Sequence, residues 1–154
     1  MQANLDETDA RLLRLVQRDA RLTAAQLSER LNLSPSACHR RLQRLEAAGV
    51  VTGMVALLDP RAVGRPTIVF VEISLATQAD DVLDAFEAAV ARIPDVLECH
   101  LMTGAYDYLL KVVARDSEDF ARIHRGHLAR LPGVAKLQSS FALKTVFATT
   151  ALPV

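Results

Sequence analysis

Lysine is almost missing from this chain. Lys111, Lys136 and Lys144 are its only lysines, and none falls in the first half. Arginine therefore carries most of the positive charge, and 18 cationic residues meet 18 acidic ones for a formal net charge of zero. A neutral total excludes a general coat for nucleic acid but leaves room for a local basic patch. Cysteine is scarce as well. Cys38 and Cys99 stand far apart with no C-x-x-C spacing, which excludes a disulfide framework and suits a reducing compartment. No apolar run approaches the roughly 18 residues of a membrane span, and the N-terminus lacks a basic-then-apolar leader. The expectation is a soluble, cytoplasmic protein with no membrane partner. G-x-S-x-G, Walker and G-x-G-x-x-G motifs are absent. No enzyme activity, metal or cofactor is expected. No internal repeat or low-complexity tract appears, and the length suits one to two domains.

Helical punctuation fills the first fifty residues. Residues 6–20 read as a helix capped by Asp6, with Leu12, Leu13 and Val16 as its apolar stripe. "RLTAAQLSERL" reads as a second, with Thr23 and Gln26 at capping-box spacing. After a turn at Asn32-Leu33, Ser34 caps a third helix, Pro35 occupies its first position and Gly49 closes it. Three short helices in this order make a helix-turn-helix.

From Val50 the period changes. "VVTGMVALLDP" is expected to be a strand, and "RAVGRP" a turn or linker. Beyond it the order is strand 67–75, helix 79–93, strand 96–102, strand 106–114, helix 117–131 and strand 134–146. That is the split βαβ, ferredoxin-like sandwich. The strands are apolar on both faces, yet the helices cover only one. A second copy is expected on the other. The fold class is α+β: an N-terminal three-helix helix-turn-helix domain plus a C-terminal ferredoxin-like βαββαβ domain. The boundaries are 1–52, a strand and linker at 53–66, and 67–154.

"NLSPSACHRRLQRLEAAG" puts four cationic or titratable side chains, His39, Arg40, Arg41 and Arg44, inside six residues. At about 100° per residue, Cys38, Leu42, Leu45 and Gly49 share one side of the helix. Ser36, Arg40, Gln43, Arg44 and Ala47 share the other, with His39 and Arg41 at the flanks. Such a face suits phosphates and base edges. A solvated helix surface is the plainer alternative. Cys38 and His39 point apart and form a poor metal pair, so Cys38 reads as a small buried hydrophobe. Acids at 80–84 and 116–119 sit at helix starts, where the dipole alone favours them.

These segments together resemble the Lrp/AsnC family of transcriptional regulators. The matching pieces are "LDETDARLLRLVQRDARLT", "LSERLNLSPSACHRRLQRLEAAGVV", "ALLDP", "VFVEISL", "ECHLMTGAYDYLLKV" and "LPGV", in order along nearly the whole chain. The resemblance implies sequence-specific binding of double-stranded DNA and a C-terminal effector domain, known as the RAM domain. It also implies homodimers that often assemble to octamers, and an amino-acid or related effector. The DNA-binding residues expected are Thr23, Ser34, Ser36, His39, Arg40, Arg41, Gln43 and Arg44. The effector segment carried over is Thr103, Gly104, Ala105, Tyr106, Asp107 and Tyr108, with Gln138, Ser139 and Ser140 behind it. A glycine turn exposes N–H groups that suit a carboxylate, and Asp107 suits an ammonium. The alternative is a plain hairpin whose tyrosines are sheet core. Two other functions stay open. Siroheme decarboxylases share the architecture, with His100 and His124 the only hints here. A metabolite-sensing module that does not bind DNA is the other.

Overall fold

The structure, a computed structural model, describes residues 4–154. It divides into two compact units. One takes in the chain up to Leu57 together with Phe147–Val154, and the other is Leu58–Val146.

The first unit holds α1 (Glu7–Val16), α2 (Ala24–Leu31) and α3 (Pro35–Ala47). Each begins where local chemistry dictates. Asp6 and Asp9 form a capping box on α1, and Thr23 and Gln26 form one on α2. Ser34 accepts from the Ala37 N–H, with Pro35 at the first position of α3. At the far end, Gly49 N–H reaches the Glu46 carbonyl and Val50 N–H the Leu45 carbonyl, each at 2.9 Å. This Schellman closure needs a left-handed residue, and Gly49 has φ +70°. Asn32 makes the α2–α3 turn at φ 56°. Leu12, Leu13, Leu27, Leu31, Cys38 and Leu45 form the core.

Two expectations fail in this unit. The first helix stops at Val16 rather than Ala20. The Asp19 carboxylate accepts the backbone N–H of Arg21 at 3.0 Å, and this local bond competes with helix continuation. The strand expected from Val50 does not form, and residues 52–59 are irregular. No neighbouring strand among the described residues completes a ladder for them, and Val55, Leu57 and Leu58 stay exposed. Residues 147–154 group with the helical unit. Gln17 Nε2 donates to the Leu152 carbonyl at 3.2 Å, and the Leu152 N–H returns a bond to Gln17 Oε1 at 2.6 Å.

The second unit follows β1 (Thr67–Leu75), α4 (Asp80–Val90), β2 (Val96–Leu101), β3 (Tyr108–Ala114), α5 (Ser117–Gly126), a 3-10 turn (Leu128–Arg130) and β4 (Val134–Phe141). The sheet order is β2-β3-β1-β4, with every neighbouring pair antiparallel. This is the ferredoxin-like arrangement. Val69, Val71 and Ile73 of β1 and Tyr108, Leu110 and Val112 of β3 are buried with Phe86, Ile123 and Leu128. Their neighbours Ile68, Phe70, Leu109 and Val113 alternate onto the opposite face.

Gly133 has φ +72°, and a side chain there would collide with Val82 of α4. Asp119 at the start of α5 is buried. Its carboxylate gathers Arg65 at 3.3 Å, Arg115 at 2.9 Å and Arg122 at 2.6 Å. These guanidinium bonds, Arg115 first, hold its carboxyl well below the usual carboxylate range. The helix dipole, the only role the sequence suggested for Asp119, is the smaller part of its task. Arg122 lies three residues after Asp119 on α5 and Arg115 four residues before it, ahead of the helix, whereas Arg65 is 54 residues away.

Candidate DNA-binding and ligand-binding sites

Helix α3 offers its outward face to solvent. Ser36, His39, Arg40 and Gln43 are all exposed. Ser36 Oγ lies 3.1 Å from Ser34 Oγ, so the two hydroxyls support each other at the helix start. Arg40 has no carboxylate partner among the described residues. Cys38 and Leu45 are buried on the opposite side.

Arg41 and Arg44 behave differently from the sequence expectation. Arg41 Nη1 donates to Asp6 Oδ2 at 2.7 Å and to Asp9 Oδ1 at 2.8 Å. Arg44 Nη2 donates to Asp9 Oδ2. Asp9 is only 1% exposed. Arg44 is thus turned toward α1 instead of standing free on the outward face, because the buried Asp9 carboxylate still offers it Oδ2 after Arg41 has taken Oδ1. The Arg41 bond is the main reason that the Asp6 carboxyl sits below its ordinary range, and the same two acids raise Arg41. Thr23 is exposed and uses its oxygen as the α2 cap.

In the second unit, residues 102–107 turn between β2 and β3. Gly104 has φ +134°, which favours glycine. The N–H groups of Thr103, Gly104, Ala105 and Tyr106 find no acceptor among the described residues. Asp107 anchors the turn from both ends. Its backbone N–H donates to the Ile73 carbonyl at 2.8 Å. Its carboxylate accepts from the Leu75 N–H at 2.7 Å and from Gln78 Nε2 at 2.6 Å. The side chain expected to meet an ammonium is therefore engaged in holding the hairpin.

Tyr108 packs into the core of the sheet. It is 1% exposed, stacks on Phe86 at 4.4 Å and donates its hydroxyl to Glu87 Oε1 at 2.7 Å. Burial, followed by the Glu87 bond, pushes its pKa far above the usual phenol value. Gln138, Ser139 and Ser140 do not act together. Ser139 pairs with Val71 on the helix-covered face, while Gln138 and Ser140 pair with Glu72 and Phe70 on the other. The alternation of a strand divides them. Among the described residues, no three His, Cys, Asp or Glu side chains are placed to hold a metal ion, and no helix is long and apolar enough to cross a membrane.

A capped helix-turn-helix presenting a polar and basic helix face defines a DNA-binding protein of the regulator class. A ferredoxin-like unit with a donor-rich turn accompanies it. Comparison with known proteins agrees. Residues 5–52 match the winged helix-turn-helix DNA-binding family, and residues 68–152 match the Lrp/AsnC ligand binding domain. The leucine-responsive regulatory protein of Salmonella typhimurium is 38% identical over 143 residues, which span 93% of this chain and 87% of that protein. A transcriptional regulator from Neisseria meningitidis, solved in complex with L-Met, is 42% identical with a TM-score of 0.92, covering 97% of each chain. An AsnC family transcriptional regulator from Agrobacterium tumefaciens is 36% identical with a TM-score of 0.93, again over 97% of each. The chain belongs to the Lrp/AsnC family of transcriptional regulators.

Proposed function

We propose that this protein is a cytoplasmic, non-enzymatic regulator that docks α3 in the DNA major groove and responds to an amino acid bound at the 103–106 turn. The observation that carries the effector reading is the row of four N–H groups without acceptors. Such a row takes a carboxylate, and the positive φ of Gly104 keeps the turn open to it. The L-Met complex of the Neisseria meningitidis relative supports an amino acid as the ligand class. Ser36, His39, Arg40 and Gln43 read the groove. Thr23, Ser34 and the free edge of Arg41 meet phosphates. Two copies join through the uncovered sheet face, where Phe70 is 39% exposed beside Ile68, Leu109 and Val113, and higher assembly follows from such dimers. An effector shifts the balance only by binding one assembly state better than another.

The test is a thermal-shift screen against the free amino acids, followed by DNA titration with and without the best ligand. Gly104→Val blocks the turn conformation. It is expected to abolish the amino-acid response and keep unliganded DNA binding. An undiminished response in that variant removes the turn from the effector site.

A further inference from the structure

The head's free positive charge does not lie mainly where the recognition helix would put it. Between Arg11 and Arg44 the head carries eight arginines. Three are held by carboxylates: Arg21 by Asp19, Arg41 by Asp6 and Asp9, and Arg44 by Asp9. The remaining five have no Asp or Glu partner among the described residues. One is Arg40. The other four, Arg11, Arg14, Arg18 and Arg30, line a single depression of about 240 Å3 between α1 and α2.

Leu15 and Leu31 complete the lining, and no Asp or Glu among the described residues contributes to it. Arg11 and Arg14 stand one turn apart on α1, and Arg18 lies just past its end. That spacing puts them along one side. Arg30 comes from the last turn of α2. Two of the four are already oriented. Arg11 Nη2 donates to the Arg30 carbonyl at 3.2 Å, and Arg14 Nη1 donates to the backbone oxygen of Val154 at 2.7 Å. Each uses one of several N–H groups in this way and keeps the rest for a ligand. Four guanidinium groups around one depression repel one another, and an anion with several phosphates relieves that repulsion. Guanidinium forks match phosphate oxygens in pairs.

We propose that this depression is a second contact surface for duplex DNA, which it grips by the phosphate backbone outside the groove read by α3. The inference rests on the DNA-binding reading of the head. Contacts of this kind add affinity and orientation without sequence preference. Duplex DNA is the occupant of choice because it is the polyanion that a head of this family must already meet.

The experiment measures binding of a mixed-sequence DNA duplex over a series of NaCl concentrations. It compares the full-length protein with Arg11→Gln/Arg18→Gln and with Arg125→Gln, a control on exposed α5 in the other unit. Each lost phosphate contact flattens the plot of log K against log salt by about 0.9. The double variant is therefore expected to lower the slope by about 1.8 per head and the affinity by at least tenfold at moderate salt. The control is expected to match wild type. Both replaced side chains are exposed, so an unchanged melting curve confirms that the head remains folded. An unchanged slope in the folded double variant overturns the proposal. So does an unchanged slope accompanied by loss of a tripolyphosphate-induced thermal shift, which assigns the depression to a small anion. Failure of the wild-type protein to bind any duplex strikes the DNA-binding reading itself.

Discussion

Replacing Asp9 by alanine removes the one carboxylate that both Arg41 and Arg44 share. Two charge-assisted bonds disappear, together with the 3.3 Å return bond from the Asp6 N–H. Hydrogen bonds to charged groups contribute about 1.5–3 kcal/mol each. The two arginine side chains are 29% and 57% exposed, so both rehydrate once released. That discount leaves a net loss of about 2 kcal/mol for the two bonds together. For a unit of this size such a loss lowers the melting temperature by roughly 10 °C. Asp9→Asn keeps the shape and loses the charge, and should fall at about half that cost. The assay follows far-UV circular dichroism, to which the three head helices contribute. Both tyrosines, Tyr106 and Tyr108, lie in the ferredoxin-like unit, so near-UV ellipticity reports that unit separately. A double-mutant cycle of Asp9→Ala with Arg44→Ala is expected to give a coupling of about 1 kcal/mol. A coupling near zero, with Arg44→Ala changing base preference as strongly as Arg40→Ala, would refute the reasoning. Arg44 would then be a reader of the groove and its bond to Asp9 incidental.

Three further outcomes are expected. Gly133→Ala forces a side chain against Val82 at positive φ and should cost about 2 kcal/mol in a urea titration. Val82→Ala in the same chain should restore part of that loss. The Asp119 carboxyl is depressed by its arginines, so its contribution is present above the ordinary carboxylate pKa of about 3.9 and disappears as pH falls below it. The near-UV signal of wild type should therefore decline more steeply below that point than that of Asp119→Asn, and parallel acid curves would contradict the arginine anchor. Tyr108 should stay protonated well above the ordinary phenol range, because its ring is buried and its hydroxyl is tied to Glu87. Phenolate absorbance should show one late-titrating tyrosine, lost in Tyr108→Phe.

Features that depend on residues within one turn of each other were legible in the chain. The caps at Asp6, Thr23 and Ser34 act over three residues, and Gly49 needs only its own backbone freedom. The order of strands and helices followed from alternation against a 3.6-residue period. Where the reading failed, the deciding partner was distant. Asp9 lies 35 residues from Arg44, and no helical projection of α3 alone reveals that the guanidinium turns toward it. Asp107 lies 32 residues from the Leu75 N–H that it accepts. Residues 52–59 carry a strand-like pattern, but a strand needs a neighbour.

The sequence by itself determined the two-part architecture, the helix starts and the polar face of α3, because propensity, capping and periodicity are local. Only the tertiary structure decided which polar groups remain free to bind. It tied Arg41 and Arg44 to α1, set Asp107 to hold its hairpin and sent Tyr108 into the core. It left Arg11, Arg14, Arg18 and Arg30 around one depression with no Asp or Glu partner among the described residues. The physical reason is that a buried charge or hydrogen-bonding group must find a partner wherever the fold supplies one. What binds other molecules is what that internal pairing leaves over.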